Sequence, residues 1–164
     1  MSHFDMLVKL YDLELNLECI SQQAKKNIII RKALAPEKSV VLNWIKREFA
    51  QAWADEADIA FSNNPCSIFI AIKDEKIIGF ACYDSTMLNF FGPTGVSQSA
   101  RGLGTGKALL QACMMDMKLK GYAYAIIGAV GPAEFYEKTV GAIKIENSWP
   151  GAYANLLKNQ TLVD

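Results

Sequence analysis

The sequence predicts an α/β fold, a sheet with helices packed on it, and three observations carry that prediction. Apolar and β-branched runs alternate along the chain with segments of helical period. Two β-rich runs, 67–72 and 76–83, are parted only by Lys73, Asp74 and Glu75, which is the length and polarity of a hairpin connection. A turn holding Gly102, Gly104 and Gly106 separates a strand-like run from a long helical pattern. Composition agrees with one globular unit: of 164 residues, 51% are hydrophobic and 21% charged. A chain this long buries roughly 68 to 70% of its unfolded surface, so a core forms without disulfides or a structural metal.

Element by element, residues 6–10 are a short apolar stretch, followed by mixed sequence ending in Gln22, Gln23, Lys25 and Lys26. Residues 1–26 therefore read as an N-terminal extension of a single domain spanning 1–164. Ile28, Ile29 and Ile30 form a β-branched run typical of a strand. Pro36 then opens a helical pattern with Val40, Val41, Trp44, Ile45 and Phe49 on one stripe. After the hairpin, 87–96 is again apolar but carries Gly92, Pro93 and Gly95, and proline inside a strand marks an edge or a bulge. A helix runs from Thr105 through Leu109, Leu110, Cys113, Met114 and Met117 to Gly121, a C-terminal breaker. Residues 122–129 return as a strand. Gly131 and Pro132 fit the N-cap and first position of a short helix with Phe135 and Tyr136, which Gly141 closes. Residues 143–146 and 153–157 read as two final strands around a Pro150-Gly151 turn.

Charge and rare residues exclude whole classes of function. Seventeen Lys plus Arg balance seventeen Asp plus Glu, so the basic footprint of a nucleic-acid or anionic-membrane binder is missing. Cys19, Cys66, Cys82 and Cys113 form no CxxC pair, which leaves no zinc or thioredoxin-like motif. His3 is the only histidine, against Ser-His-Asp or Cys-His catalysis and against a His-ligated metal; no metal site is expected. Asp5, Lys9, Asp12, Glu14 and Glu18 interrupt the first twenty residues, and no segment has the length of a membrane span. A cytoplasmic protein is the expectation.

The segment Arg101-Gly102-Leu103-Gly104-Thr105-Gly106-Lys107 has the chemistry of an anion site. Free backbone N–H groups and a helix N-terminus meet there, glycines let a ligand approach the backbone, and two cations flank it. A Walker loop needs glycine where Arg101 stands and Ser or Thr where Ala108 stands; a dinucleotide fingerprint from Gly102 needs glycine where Lys107 stands. Neither spacing fits. A tight structural connection is the alternative to a phosphate site.

The spacing Arg101-x-x-Gly104-x-Gly106, after a bulged strand ending at Val96, resembles the signature of the GNAT superfamily of acyl-CoA-dependent N-acyltransferases. Phe135-Tyr136-Glu137-Lys138 followed by Gly141-Ala142 resembles the element on that family's last helix, and residues 28–164 follow its order of elements. The resemblance implies a central, mixed, mostly antiparallel sheet with a bulged strand, flanked by helices. It implies acetyl-CoA as the donor, with coenzyme A as product, and a small-molecule or peptide amine as acceptor. Backbone from Gly102 to Lys107 would receive the pyrophosphate, and Thr94, Gly95 and Val96 would run beside the pantetheine arm. The Val96 N–H would face the thioester carbonyl, and the Tyr136 hydroxyl would protonate the departing thiolate. A homodimer is a frequent arrangement in that family. The asparagine often found before the last helix is absent here, where the sequence reads Gly128-Ala129-Val130-Gly131-Pro132.

For the base that deprotonates the amine, Asp84 at the end of the hairpin strand and Glu56 after the first helical region both qualify, and both also fit an exposed or capping role. Trp44, Phe49 and Trp53 either wall an acceptor site or pack the core. Tyr136, taken without the resemblance, reads first as a core tyrosine on an amphipathic helix. Direct transfer in a ternary complex is expected because no cysteine comes with a histidine partner, although Cys66 and Cys82 near the hairpin stay open as acyl carriers. The rival reading is a non-catalytic acyl-CoA sensor or interaction module of the same fold.

Overall fold

The computed structural model describes residues 3–14 and 16–158. Residues 1, 2, 15 and 159–164 of the expected 1–164 domain lie outside the described residues. Asp5–Lys9 forms β1, Glu18–Ala24 forms α1 and Ile28–Lys32 forms β2. Helices α2 (Lys38–Glu48) and α3 (Gln51–Ser62) follow, then β3 (Ile68–Lys73), β4 (Lys76–Tyr83) and β5 (Phe90–Val96). The long helix α4 (Thr105–Lys120), β6 (Tyr124–Ile127), α5 (Ala133–Val140) and β7 (Ile143–Ile145) complete the order. The seven strands make one sheet in the order β2-β3-β4-β5-β6-β1-β7, antiparallel throughout except for the parallel pair β5 and β6.

Both faces of this sheet are covered, and side-chain alternation decides which residue goes where. Ala81 and Tyr83 of β4 join Leu109, Leu110, Cys113, Met114 and Met117 of α4 and Tyr136 and Val140 of α5 on one face. Phe80 and Cys82, one residue out of step, join Val41, Trp44, Ile45, Ala54 and Ala57 of α2 and α3 on the other. Trp44, Phe49, Trp53 and Phe80 meet there as an aromatic cluster with ring centroids 5.2–6.2 Å apart. The β3–β4 hairpin turns on Asp74 and Glu75, both at positive φ, the backbone of a two-residue turn that matches strand twist.

Three expectations need correction. The segment read as an extension supplies β1, which lies inside the sheet between β6 and the edge strand β7. Met6, Val8 and Leu10 are fully buried at alternate positions, so the period of a strand is present. Apolar Leu7 on the other face blurred it. The single helical region after Pro36 is two helices, because Phe49 and Ala50 leave helical backbone and carry the Phe49 ring onto β5. A methyl at Gly95 would come within 2.5 Å of that ring, so only glycine admits it. The tail forms only β7 and a 3-10 turn at Gly151–Tyr153 in place of two strands. Ser148 draws the chain back by accepting the Asp5 N–H at 2.7 Å and donating to Ile145 O at 2.7 Å.

Candidate functional site

The site begins where the sheet opens. Strands β5 and β6 pair only at Phe90–Ile126 and Phe91–Ile127. Beyond that point β5 takes an extra residue relative to β4, since Ala81 faces Thr94 while Tyr83 faces Phe91, and the Gly92-Pro93 pair occupies the bulge. A bulge bends the strand that carries it, and proline has no N–H to offer a neighbour. The two strands therefore diverge. Ser97 donates its N–H to Ile78 O at 2.8 Å, and N–H directions alternate along a strand, so the Val96 N–H points away from β4 toward the opening.

A cavity of about 520 Å³ fills this opening and reaches both faces of the sheet. Gly106, Leu110, Val130 and Tyr136 line it from the α4 and α5 side; Trp53, Glu56, Thr86 and Tyr153 line it from the α3 side; Thr94, Gly95 and Val96 form the wall between. Of the residues singled out in the sequence, Glu56, Thr94, Gly95, Val96, Gly106 and Tyr136 thus come together at one space.

At the α4 end, the glycine loop presents backbone N–H groups that the helix leaves free. The first intrahelical bond of α4 runs from the Ala108 N–H to Gly104 O, so the N–H groups of Thr105, Gly106 and Lys107 precede any intrahelical acceptor. Gly104 caps the helix at φ 79°, a left-handed backbone that favours glycine. Gly106 needs another explanation, because its φ is ordinary and a methyl there would meet only Val96 Cγ2 at 3.7 Å. The fold tolerates a side chain at that position, and the space a side chain would take belongs to the cavity. Arg101 and Lys107 are exposed beside these N–H groups.

Sequence reasoning missed what holds this loop. Gln23 of α1 is buried, donates to Leu103 O at 2.9 Å and accepts from the Thr105 hydroxyl at 2.8 Å; Lys26 donates to the same Leu103 carbonyl at 2.7 Å. Thr105 and Leu103 therefore serve the loop's internal structure, and what they offer a ligand is backbone. A glutamine in polar sequence gives no periodic signal of such a role.

Tyr136 is 6% exposed, with its ring edge-on to Phe91 at 6.3 Å and to Phe135 at 5.1 Å. Burial alone pushes its phenol up to about 12, so the hydroxyl stays protonated at neutral pH. On the opposite side, Thr86 donates to Glu56 Oε1 at 2.5 Å. Burial raises the Glu56 carboxyl above its ordinary range, against the lowering effect of that hydrogen bond.

Asp84 stands apart from this space. Its carboxylate accepts the Asn89 N–H at 2.7 Å, the Tyr122 hydroxyl at 2.7 Å and Lys120 Nζ at 3.2 Å. These contacts close the loop from 84 to 89 and tie it to the end of α4. Cys82 is fully buried away from the cavity, and burial pushes its thiol well up. Tyr153 went unnoticed in the sequence because nothing near it in the chain marks it. It reaches the cavity over Gly128, where a methyl would overlap the Tyr153 hydroxyl and approach the Phe90 ring. Among the described residues, no helix is long and apolar enough to cross a membrane.

Comparison with known proteins places the fold. The GCN5-related glucosamine N-acetyltransferase region of a fungal multi-domain GH3 β-N-acetylglucosaminidase superposes with a TM-score of 0.71 at 15% identity, over 87% of this chain and 20% of that one. A GCN5-related N-acetyltransferase from Sphaerobacter thermophilus gives 0.65 at 15% identity, over 87% and 48%. One from Kribbella flavida gives 0.56 at 12% identity, over 88% and 55%. The chain therefore spans between a fifth and about half of the length of these proteins, and at such identities the likeness is one of fold. No curated protein matches by sequence. The acetyltransferase (GNAT) family, however, matches residues 38–142, from the start of α2 through the glycine loop to the end of α5. A match over that span, together with the mixed sheet that opens beside its glycine loop, means that the chain belongs to the GNAT acetyltransferase family.

Proposed function

We propose that the protein is an acyl-CoA-dependent N-acyltransferase that moves an acetyl group from acetyl-CoA to a primary amine by direct attack in a ternary complex. The observation that carries this reading is the opening between β5 and β6, which joins the N-terminal turn of α4, at Gly106, on one face to the Glu56 carboxylate on the other. The backbone from Gly102 to Lys107 receives the coenzyme pyrophosphate, with Arg101 and Lys107 adding charge. The pantetheine arm lies along Thr94, Gly95 and Val96. The acyl carbonyl meets the Val96 N–H, which is directed into the opening and stabilises the oxyanion as it forms.

Glu56 takes a proton from the ammonium, and the neutral amine attacks the carbonyl carbon to form the C–N bond. When the tetrahedral intermediate collapses, the C–S bond breaks and the Tyr136 hydroxyl protonates the thiolate. The nitrogen loses its second proton, which restores Tyr136 directly or through water, so amide, coenzyme A and one proton result. We assign Asp84 to loop closure, because its oxygens are already occupied. Direct transfer is favoured over an acyl-cysteine because Cys66 and Cys82 do not line the cavity.

A calorimetric titration with acetyl-CoA, with ATP as control ligand, followed by a coenzyme A release assay over an amine panel, tests this reading. Saturable acetyl-CoA binding is expected, and Tyr136→Phe should lower kcat roughly 10- to 100-fold while leaving acetyl-CoA affinity within twofold. Binding without turnover of any amine would point to the acyl-CoA sensor. No binding by folded protein would overturn both.

A further inference from the structure

The cavity's α3 side carries a chemical signature for the acceptor. Among the described residues that line the whole cavity, Glu56 is the only one with a carboxylate, and none is basic. Glu56 is flanked by Trp53 of α3 and by Tyr153, which the returning C-terminal segment carries to the same face as Phe90. The basic side chains of the glycine loop, Arg101 and Lys107, belong to the other end, beyond Val96 and Gly106.

Resting on the acetyl-transfer reading above, we infer that the acceptor is a small monoamine with an apolar or aromatic body and no anionic group, its ammonium on Glu56 and its body between Trp53 and Tyr153. Each part follows from what the wall offers. An ammonium finds one carboxylate and the faces of electron-rich rings, which attract cations. A carboxylate or phosphate on the same molecule would enter beside Glu56 with no cation to pair it, and an unpaired buried charge is strongly disfavoured. A polyamine would bring a second ammonium to a space with a single counter-charge. The cavity, about 520 Å³, must also admit the acyl arm, which limits the acceptor's body to something of the order of one ring. Trp53 is itself packed on Phe49, which Gly95 seats against β5, so this wall is rigid and its shape selects.

The test uses the intact protein with acetyl-CoA and four probes: 2-phenylethylamine, phenylalanine, spermidine and a lysine-containing peptide. Acetyl-CoA affinity is measured separately by calorimetry. The expected order has 2-phenylethylamine at least 100-fold above phenylalanine in kcat/KM, with spermidine and the peptide also well below it. Trp53→Ala should raise KM for 2-phenylethylamine about tenfold with acetyl-CoA affinity within twofold; the unmodified protein's ranking stands even if that variant folds poorly. Preference for phenylalanine, spermidine or the peptide, or no turnover of 2-phenylethylamine by protein that acetylates another probe, would overturn this inference and leave acetyl transfer intact. Failure to bind acetyl-CoA would overturn the transferase reading and this inference with it.

Discussion

Glu56 and Gly106 show how much can rest on a single position. Glu56, the base we propose, can take a proton only when ionised, and burial moves its ionisation above the ordinary carboxylate range. Activity should therefore fall as pH drops through that raised value, giving an acid limb in kcat/KM at higher pH than a free carboxylate would give. Glu56→Gln should remove the limb and cost roughly a hundredfold in rate, measured as a pH profile of both proteins. Gly106 offers a cleaner separation of fold from ligand. Its Cβ position is open apart from Val96 Cγ2 at 3.7 Å, so Gly106→Val should change the melting temperature little while weakening acetyl-CoA binding at least tenfold. A large loss of stability with binding retained would mean that the glycine serves the helix and not the ligand. Gly106 was legible in the sequence because its neighbours set a spacing. Glu56 was legible only as one of two carboxylates; what separates it from Asp84 is that Tyr122, Lys120 and Asn89 converge on the latter, and no local pattern announces that the end of α4 meets this loop.

At the level of elements, α1 bears on binding without lining the cavity. Its Gln23 bonds the Leu103 carbonyl and the buried Thr105 hydroxyl, two polar groups of the glycine loop. Gln23→Ala should leave the buried Thr105 hydroxyl without its acceptor, while Lys26 keeps its bond to Leu103 O; that costs about 1–3 kcal/mol and should loosen the loop enough to weaken acetyl-CoA binding roughly tenfold without moving KM for the amine. Titration of the variant with acetyl-CoA, beside its urea unfolding curve, separates the two effects. Elements with strong local signals were legible: the hairpin, the bulged strand, α4 between its glycines and α5 before Gly141. The division of α2 from α3 was not. The apolar stripe continues through the break, and what stops the helix is the seat that Gly95 offers to Phe49, a contact between residues 46 positions apart in the sequence.

For the molecule as a whole, β1 is the element whose position local sequence understates most. It bonds β6 on one side and β7 on the other, so it joins the edge strand to the rest of the sheet, and its Met6 and Val8 are fully buried. Met6→Ala should cost about 2–5 kcal/mol by urea denaturation, the value for a large side chain removed from a core; a change under about 0.5 kcal/mol would make the segment the dispensable extension that its sequence suggests. Strand pairing over such a distance leaves no trace in local patterning, which is why the order β6-β1-β7 was unreadable while the elements from the hairpin to α5 were clear. It also sets a schedule for synthesis. Met6, Val8 and Leu10 leave the ribosome early, yet the strands that flank β1 are encoded more than a hundred residues later, at Tyr124–Ile127 and Ile143–Ile145. At ordinary elongation rates the nascent chain carries an unmated apolar strand for about ten seconds, a natural client for whatever chaperone waits at the exit tunnel.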